Sequence, residues 1–171
     1  MIETLAMSHA FPMSVAGGLF ILMMGIGVAL GGIFSKLRKP LLVLGAVAGS
    51  IAIGVSVNAL TRPLGMPTPT QFWALAAAIS LEVVLIGVVV ARYRKSGEHT
   101  LLLVILFVVG FHFLPMAIAF GPLCAILGVS IMANSGIGLL AKRANSLKSY
   151  WIIDGSLKIV FGGLMFSAGI A

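Results

Sequence analysis

The sequence predicts an all-α integral membrane protein, a bundle of six transmembrane helices, from three observations. Hydrophobic residues make up 60% of the 171-residue chain and charged residues only 9%, whereas a soluble domain carries about 25% charged residues. Six apolar segments reach the length of about 20 residues that a helix needs to cross a bilayer. Nine of the 11 Lys and Arg residues fall in three short clusters between these segments, as in the cytoplasmic loops of membrane proteins.

The chain divides into six predicted spans that together form one transmembrane domain, residues 1–171. Prolines and a glycine in residues 61–70 separate the second span from the third, and Gly121 and Pro122 separate the fourth from the fifth. Membrane strands need alternating polarity over about 10 residues, and these segments do not alternate. The predicted spans are residues 11–34, 40–60, 71–91, 100–120, 122–141 and 149–171.

The placement of Lys and Arg predicts the orientation. The three basic clusters follow the first, third and fifth spans, whereas the loop after the second span carries only Arg62 and the loop after the fourth carries none. Because Lys and Arg mark cytoplasmic loops, we expect the N-terminus and the C-terminus both to be non-cytoplasmic. The same clustering accounts for the net charge of +7, because the basic residues lie in loops at the surface of the lipid bilayer, which is the expected partner. Nucleic-acid binding is not expected.

Four titratable residues fall inside predicted spans: Glu82, His112, Asp154 and Lys158. Ionisable groups at membrane depth are costly and mark functional sites by default. A helix rises about 1.5 Å per residue, so Glu82 and Lys158 both lie about 13 Å from the inner boundary, near the midplane. On the same scale Asn134 comes within about 3 Å of that level, and His112 lies about 4–5 Å above it.

The spacing of these residues predicts how their charges are satisfied. Asp154 and Lys158 stand four residues apart with the acid first, so a salt bridge along one helix face is expected. Glu82 is then the spare carboxylate. It either shares Lys158, carries a proton because burial disfavours its charge, or meets a cation or a donor such as His112.

Pro115 follows His112 by three residues. A proline inside a helix removes the backbone hydrogen bond to the carbonyl four residues earlier, here that of Phe111, and a kink is expected. Either the freed carbonyl lines a polar cavity beside His112, or the kink only helps the helices to pack.

Three segments resemble a signature of small uncharacterised bacterial six-span membrane proteins. They are Gly110-Phe-His-Phe-Leu-Pro115, Ala119-Phe-Gly-Pro122 and Trp151-Ile-Ile-Asp-Gly-Ser-Leu-Lys158. The resemblance implies a multi-pass protein of the bacterial plasma (inner) membrane. It also implies that His112, Pro115, Asp154 and Lys158 form a centre that the group shares, but it carries no assigned activity.

Two functional hypotheses follow. The first is a small transporter or channel for a proton, a cation or a small polar solute, with a pathway formed by Glu82, His112, Asn134, Asp154 and Lys158. The second is a non-transporting structural or partner subunit whose polar residues only fix helix positions. No catalytic motif is present, so an enzyme is not expected. One buried histidine and scattered carboxylates do not suit a metal site, and no cofactor is expected.

Glycine patterns bear on helix packing. Gly18, Gly25 and Gly32 recur every seven residues in the first span, and small residues let membrane helices approach closely. Packing within the chain is the first interpretation, and a homo-oligomer formed through the glycine-rich spans is the second.

Short sequence echoes raise the question of an inverted repeat. His9-Ala-Phe-Pro-Met13 resembles His112-Phe-Leu-Pro-Met116, and Gly54-Val-Ser-Val57 resembles Gly128-Val-Ser-Ile131. Their offsets are 103 and 74 positions, and one duplication would give one offset. These echoes therefore leave a repeat unsupported.

Overall fold

The fold is all-helical in the computed structural model, which describes residues 11–56, 65–141 and 147–170. Each of the six helices is long and apolar enough to cross a membrane, so the predicted fold class is confirmed. Positions 57–60 and 171 of the predicted spans, and the basic residues Arg62, Lys142 and Arg143, lie outside the described residues. The helices are α1 (Ser14–Ile33), α2 (Arg38–Ser56), α3 (Pro69–Tyr93), α4 (Glu98–Phe120), α5 (Pro122–Ala141) and α6 (Leu147–Ile170), with a short 3-10 turn at Ser35–Leu37.

Local sequence signals explain where helices begin and end. At the start of α3, the Thr68 hydroxyl accepts a hydrogen bond from the Gln71 amide at 3.3 Å, and the Gln71 side chain accepts from the Thr68 amide at 2.9 Å. This reciprocal cap, with Pro69 as the first helical residue, is a strong start signal. Gly121 ends α4 with a φ of 92°, which favours glycine. The helix runs unbroken through Pro115, and the kink expected there stays a prediction.

The helices pack in the order α2, α1, α6, α5, α4, α3. The central contacts join α1 to α6, α6 to α5 and α5 to α4, while α2 packs on α1 and α3 packs on α4. An apolar core between the central helices includes Phe113, Leu127, Ile131 and Met165. The outward faces of α2 and α3 are apolar and exposed, as expected for surfaces in contact with lipid.

The three glycines spaced seven residues apart in α1, Gly18, Gly25 and Gly32, face α6 of the same chain. A Cβ atom added at Gly25 would lie 2.7 Å from the backbone nitrogen of Ile159, and one added at Gly162 would lie 2.6 Å from that of Leu22. The two backbones therefore approach at a distance that only small residues allow. This is the packing within the chain that the glycine spacing predicted; a homo-oligomer stays a prediction.

Two further helix crossings are built on glycine pairs. Gly27 of α1 lies against Gly45 of α2, and Gly110 of α4 lies against Gly128 of α5. In the second crossing, a Cβ atom at Gly128 would lie 2.6 Å from the carbonyl oxygen of Gly110. Each half of the chain thus has its first two helices held together at a glycine crossing.

Candidate functional site

The centre of the bundle brings two titratable side chains from neighbouring helices together. Glu82 stands midway along α3, and its Oε2 lies 3.5 Å from Nε2 of His112 on α4. The His112 side chain is 7% exposed and that of Glu82 is 25% exposed. Of the environments considered for Glu82, the structure shows the one beside His112. This contact connects the lightly packed helix α3 to the buried interior.

A second polar pair lies on α6. Lys158 donates to Oδ2 of Asp154 one helical turn away, and both side chains are buried. Two charges removed from water are stabilised only when they are paired and their other hydrogen-bonding capacity is used. Oδ1 of Asp154 is buried and has no hydrogen-bond partner in the described part of the chain. The carboxylate therefore keeps an unused acceptor in the interior.

Lys158 connects the two pairs electrostatically. Its charge acts on both Glu82 and His112, so the polar groups extend from α3 through α4 to α6. Nδ1 of His112 is buried and has no hydrogen-bond partner among the described residues. With Glu82, Asp154 and Lys158 ionised and His112 neutral, the cluster carries one net negative charge. A single proton or monovalent cation neutralises it. We call Glu82, His112, Asp154 and Lys158 the central cluster.

Asn134 makes its hydrogen bond to the backbone of α6 rather than to a member of the central cluster. Its Nδ2 donates to the backbone carbonyl of Tyr150 at 2.9 Å, one turn before Asp154 on α6. The hydrogen bond joins α5 to the beginning of α6. Asn134 thus lies beside the central cluster and secures a helix contact, and its place in a pathway stays a prediction.

A set of contacts that the sequence does not predict joins three helices at one end of the bundle, and we call it the clasp. Arg38, at the start of α2, lies 3.1 Å from Oε1 of Glu98 at the start of α4. Its guanidinium also lies 5.0 Å from the ring centre of Trp151, near the start of α6. The first residues of α2, α4 and α6 therefore meet at the same end, as alternating spans require. In the sequence, Arg38 signals only topology, because nothing local shows which helices will be neighbours.

Comparison with known proteins assigns the chain to a family. The model of a family of unknown function, DUF6609, matches residues 6–169. The chain belongs to the DUF6609 family. No curated protein and no solved structure matches the chain. The match covers the first five helices, all of α6 but its last residue, and every residue of the central cluster, but the family description gives no activity.

In this DUF6609 protein, the segment of α4 that carries His112 is also in contact with a buried cysteine of α5. Cys124 of α5 is buried, and its thiol donates to the carbonyl of Phe113 at 3.5 Å. The contact holds α5 against the segment of α4 that carries His112 and Pro115. Within the described residues, no group of three or more His, Cys, Asp or Glu side chains is arranged to hold a metal ion.

Proposed function

We propose that this protein is a small transporter or channel that moves a proton, or another small cation or polar solute, through the central cluster. The observation that carries the proposal is the contact of Glu82 with His112 at 3.5 Å, in the middle of membrane-spanning helices and under the influence of the Lys158 charge. Ionisable groups at this depth are costly and are kept where they serve a pathway.

Among the three substrate classes, the proton agrees best with the arrangement. Glu82, with a side chain that is 25% exposed, is the most exposed member of the central cluster and is therefore the member that a proton reaches first. Histidine can pass a proton because one ring nitrogen accepts while the other donates. A separation of 3.5 Å is long for a hydrogen bond, but hydrogen bonds that transfer protons are often long in a resting site and tighten only when the reacting complex forms. Lys158 and Asp154 then supply a charge pair that can reorganise as the proton moves.

The protein is further proposed to lie in the bacterial plasma membrane with both termini non-cytoplasmic. Support comes from the clasp, because it gathers the starts of α2, α4 and α6 at one end. Lys36, Lys39 and Lys148 are exposed near the same helix starts, and basic residues favour the cytoplasmic side. Reporter domains fused to the C-terminus test this orientation: a reporter active only outside the cytoplasm is expected to work, and activity of a cytoplasmic reporter instead would reverse it.

Flux measurements on purified protein test the transport proposal. Proteoliposomes containing a pH-sensitive dye are given a proton gradient and a potassium diffusion potential, and sodium, potassium and small polar solutes are tested in parallel. We expect proton movement above that of empty vesicles. No movement of any of these species, with the protein folded and reconstituted, would contradict the proposal.

A structural or partner subunit is the second candidate, and one observation favours it. The charges of Asp154 and Lys158 are paired within a single helix and buried, an arrangement that also suits a static element fixing the position of α6. In that case, changes in the central cluster would lower stability, and there would be no flux to lose.

A further inference from the structure

The packing glycines reveal a relationship between the two halves of the chain. The crossing pair Gly110 and Gly128 lies 83 positions after the crossing pair Gly27 and Gly45. The helix starts follow nearly the same offset, since α4 begins 84 positions after α1, and α5 begins 84 positions after α2. One offset therefore relates the first two helices of each half.

The helix contacts follow the same relationship. In the first half α1 packs on α2 and on α6, and in the second half α4 packs on α5 and on α3. Exchanging α1–α3 with α4–α6 maps these contacts onto one another, whereas the contact of α5 with α6 has no comparable counterpart between α2 and α3 in the described part of the chain. Because each half has three spans, the second half must be inverted in the membrane relative to the first, as in many transporters.

An aromatic pair occurs early in the third helix of each half. Phe72 and Trp73 are the fourth and fifth residues of α3, and Tyr150 and Trp151 are the fourth and fifth residues of α6. Their environments differ sharply: Trp151 is 4% exposed, whereas Trp73 is 69% exposed. The pair on α6 is thus packed into the bundle, and the pair on α3 is not.

The first half of the chain contains an apolar groove that no described residue fills. The groove, about 500 Å³ in volume, lies between α1 and α2, and its lining includes Leu19, Met23, Ile51, Val55 and Ser56. Adding 83 to these positions gives the equivalent residues of the second half, which are Leu102, Leu106, Asn134, Gly138 and Leu139.

Those equivalent residues form the site that the α6 aromatic pair occupies. Leu102, Leu106 and Leu139 pack in one apolar cluster with Tyr150 and Trp151. Asn134 donates to the Tyr150 carbonyl, and a Cβ atom at Gly138 would lie 3.1 Å from the Tyr150 ring. The groove in the first half is therefore the open counterpart of a site that is filled in the second half.

We propose that Phe72 and Trp73 of α3 dock in the α1–α2 groove in a second conformation. Inversion of the halves places this groove and its filled counterpart toward opposite faces of the membrane. Among the described residues, the site at the end where α6 begins is filled, and the groove toward the end where α3 begins is not. Alternate docking of the two aromatic pairs gives the central cluster access to one side at a time. This role in access rests on the proposed transport function, whereas the docking itself does not.

Before the α3 pair can dock in place of the α6 pair, Tyr150 and Trp151 must lose the contacts that hold them in their site. Arg38 lies over the Trp151 ring, and Asn134 holds the Tyr150 carbonyl. The equivalents of these two residues in the other half, Gly121 and Ile51, cannot make the same polar contacts. The aromatic pair on α6 is therefore held more strongly in its site than the pair on α3 would be in the groove. This difference explains why the α6 site is the filled one in this structure.

Cysteine cross-linking tests the docking directly. The only cysteine, Cys124, is first replaced by alanine, and Phe72→Cys is combined with Val55→Cys, both positions being exposed. We expect a cross-link within one chain in reconstituted protein. The matched control pairs Phe72→Cys with Val43→Cys, also exposed but about 18 Å farther along α2, and no cross-link is expected there.

The opposite end supplies the second measurement. With Trp73→Phe added to the Phe72→Cys and Val55→Cys variant, Trp151 is the only tryptophan. Closing the cross-link is expected to raise quenching of Trp151 fluorescence, and reduction is expected to reverse it. The proposal is overturned if the cross-link does not form in folded protein, forms only between two chains, or forms without changing Trp151. None of these readouts depends on flux, so a failure of transport is distinguished from a failure of docking.

Discussion

Lys158 donates to Asp154 one turn earlier on α6, and this pair is enclosed so completely that the Lys158 side chain is only 4% exposed. Because each charge has its partner on the same helix, the pair leaves Glu82 on α3 without a full counter-charge. Glu82 instead lies beside His112. The central cluster therefore combines a charge pair on one helix with a carboxylate whose charge is incompletely balanced, and the proposed pathway rests on this combination.

Separating the buried pair is expected to destabilise the protein strongly. Asp154→Asn or Lys158→Met alone leaves one charge uncompensated in the interior, and we expect each to cost about 3–5 kcal/mol of unfolding free energy. The double variant removes both charges and should recover most of that loss. Unfolding in detergent measures all three variants, and a double variant as unstable as the sum of the single variants would contradict the pairing.

The glycine crossing of α1 with α6 predicts a contrast between two alanine substitutions. A Cβ atom at Gly155 would meet the backbone of Ala29, which cannot move independently, whereas nothing lies within 4 Å of one at Gly87. We expect Gly155→Ala to cost about 1–3 kcal/mol through overpacking. Gly87→Ala should be neutral or stabilising by up to about 1 kcal/mol, since glycine is unfavourable within a helix. Equal effects in thermal unfolding would contradict the close approach.

The clasp predicts that Arg38 matters more for its contact with Trp151 than for its ion pair. Arg38→Ala removes a cation over an aromatic ring, a contact worth about 1–2 kcal/mol when shielded from water. Glu98→Gln should cost less than about 1 kcal/mol, because Glu98 is largely exposed. In a Trp73→Phe background, Arg38→Ala should also change the Trp151 emission spectrum, and an unchanged spectrum would contradict the contact.

His112 is expected to be needed for flux more than for folding. His112→Gln keeps a side chain that can hydrogen-bond to Glu82 but cannot take up and release a proton near neutral pH. We expect proton flux to fall to the level of empty vesicles with only a small change in unfolding temperature. Ser130→Ala is the control, because Ser130 is partly exposed and its hydroxyl donates to Ile126 of its own helix. Full flux in His112→Gln would remove His112 from the pathway.

The sequence predicts what helix periodicity and membrane depth determine. Spacing along one helix predicts the pair of Asp154 and Lys158, whereas depth places Glu82 and His112 at similar levels and leaves the partner of Glu82 open. Depth did not identify the partner of Asn134, because that partner depends on which helix lies beside α5. The contact of Arg38 with Trp151 depends in the same way on the order of the helices around the bundle.

The relationship between the halves was missed for a related reason. The echoes compared in the sequence were matching strings of residues, whereas the feature that the two halves share is a pair of glycines in different helices. Gly27 with Gly45, and Gly110 with Gly128, become recognisable as equivalent pairs only when the helix crossings are known. A duplicated packing contact restricts residue size at one point, so it leaves little continuous similarity in the sequence.

The most direct test of the central cluster as a pathway measures proton flux and thermal unfolding on the same preparation of Glu82→Gln. Glu98→Gln, at an exposed carboxylate, is the matched control. We expect Glu82→Gln to abolish flux in proteoliposomes while its unfolding temperature stays close to that of the original protein, and Glu98→Gln to retain flux. Unchanged flux in Glu82→Gln, or a loss of stability in a protein that shows no flux to begin with, would contradict the account.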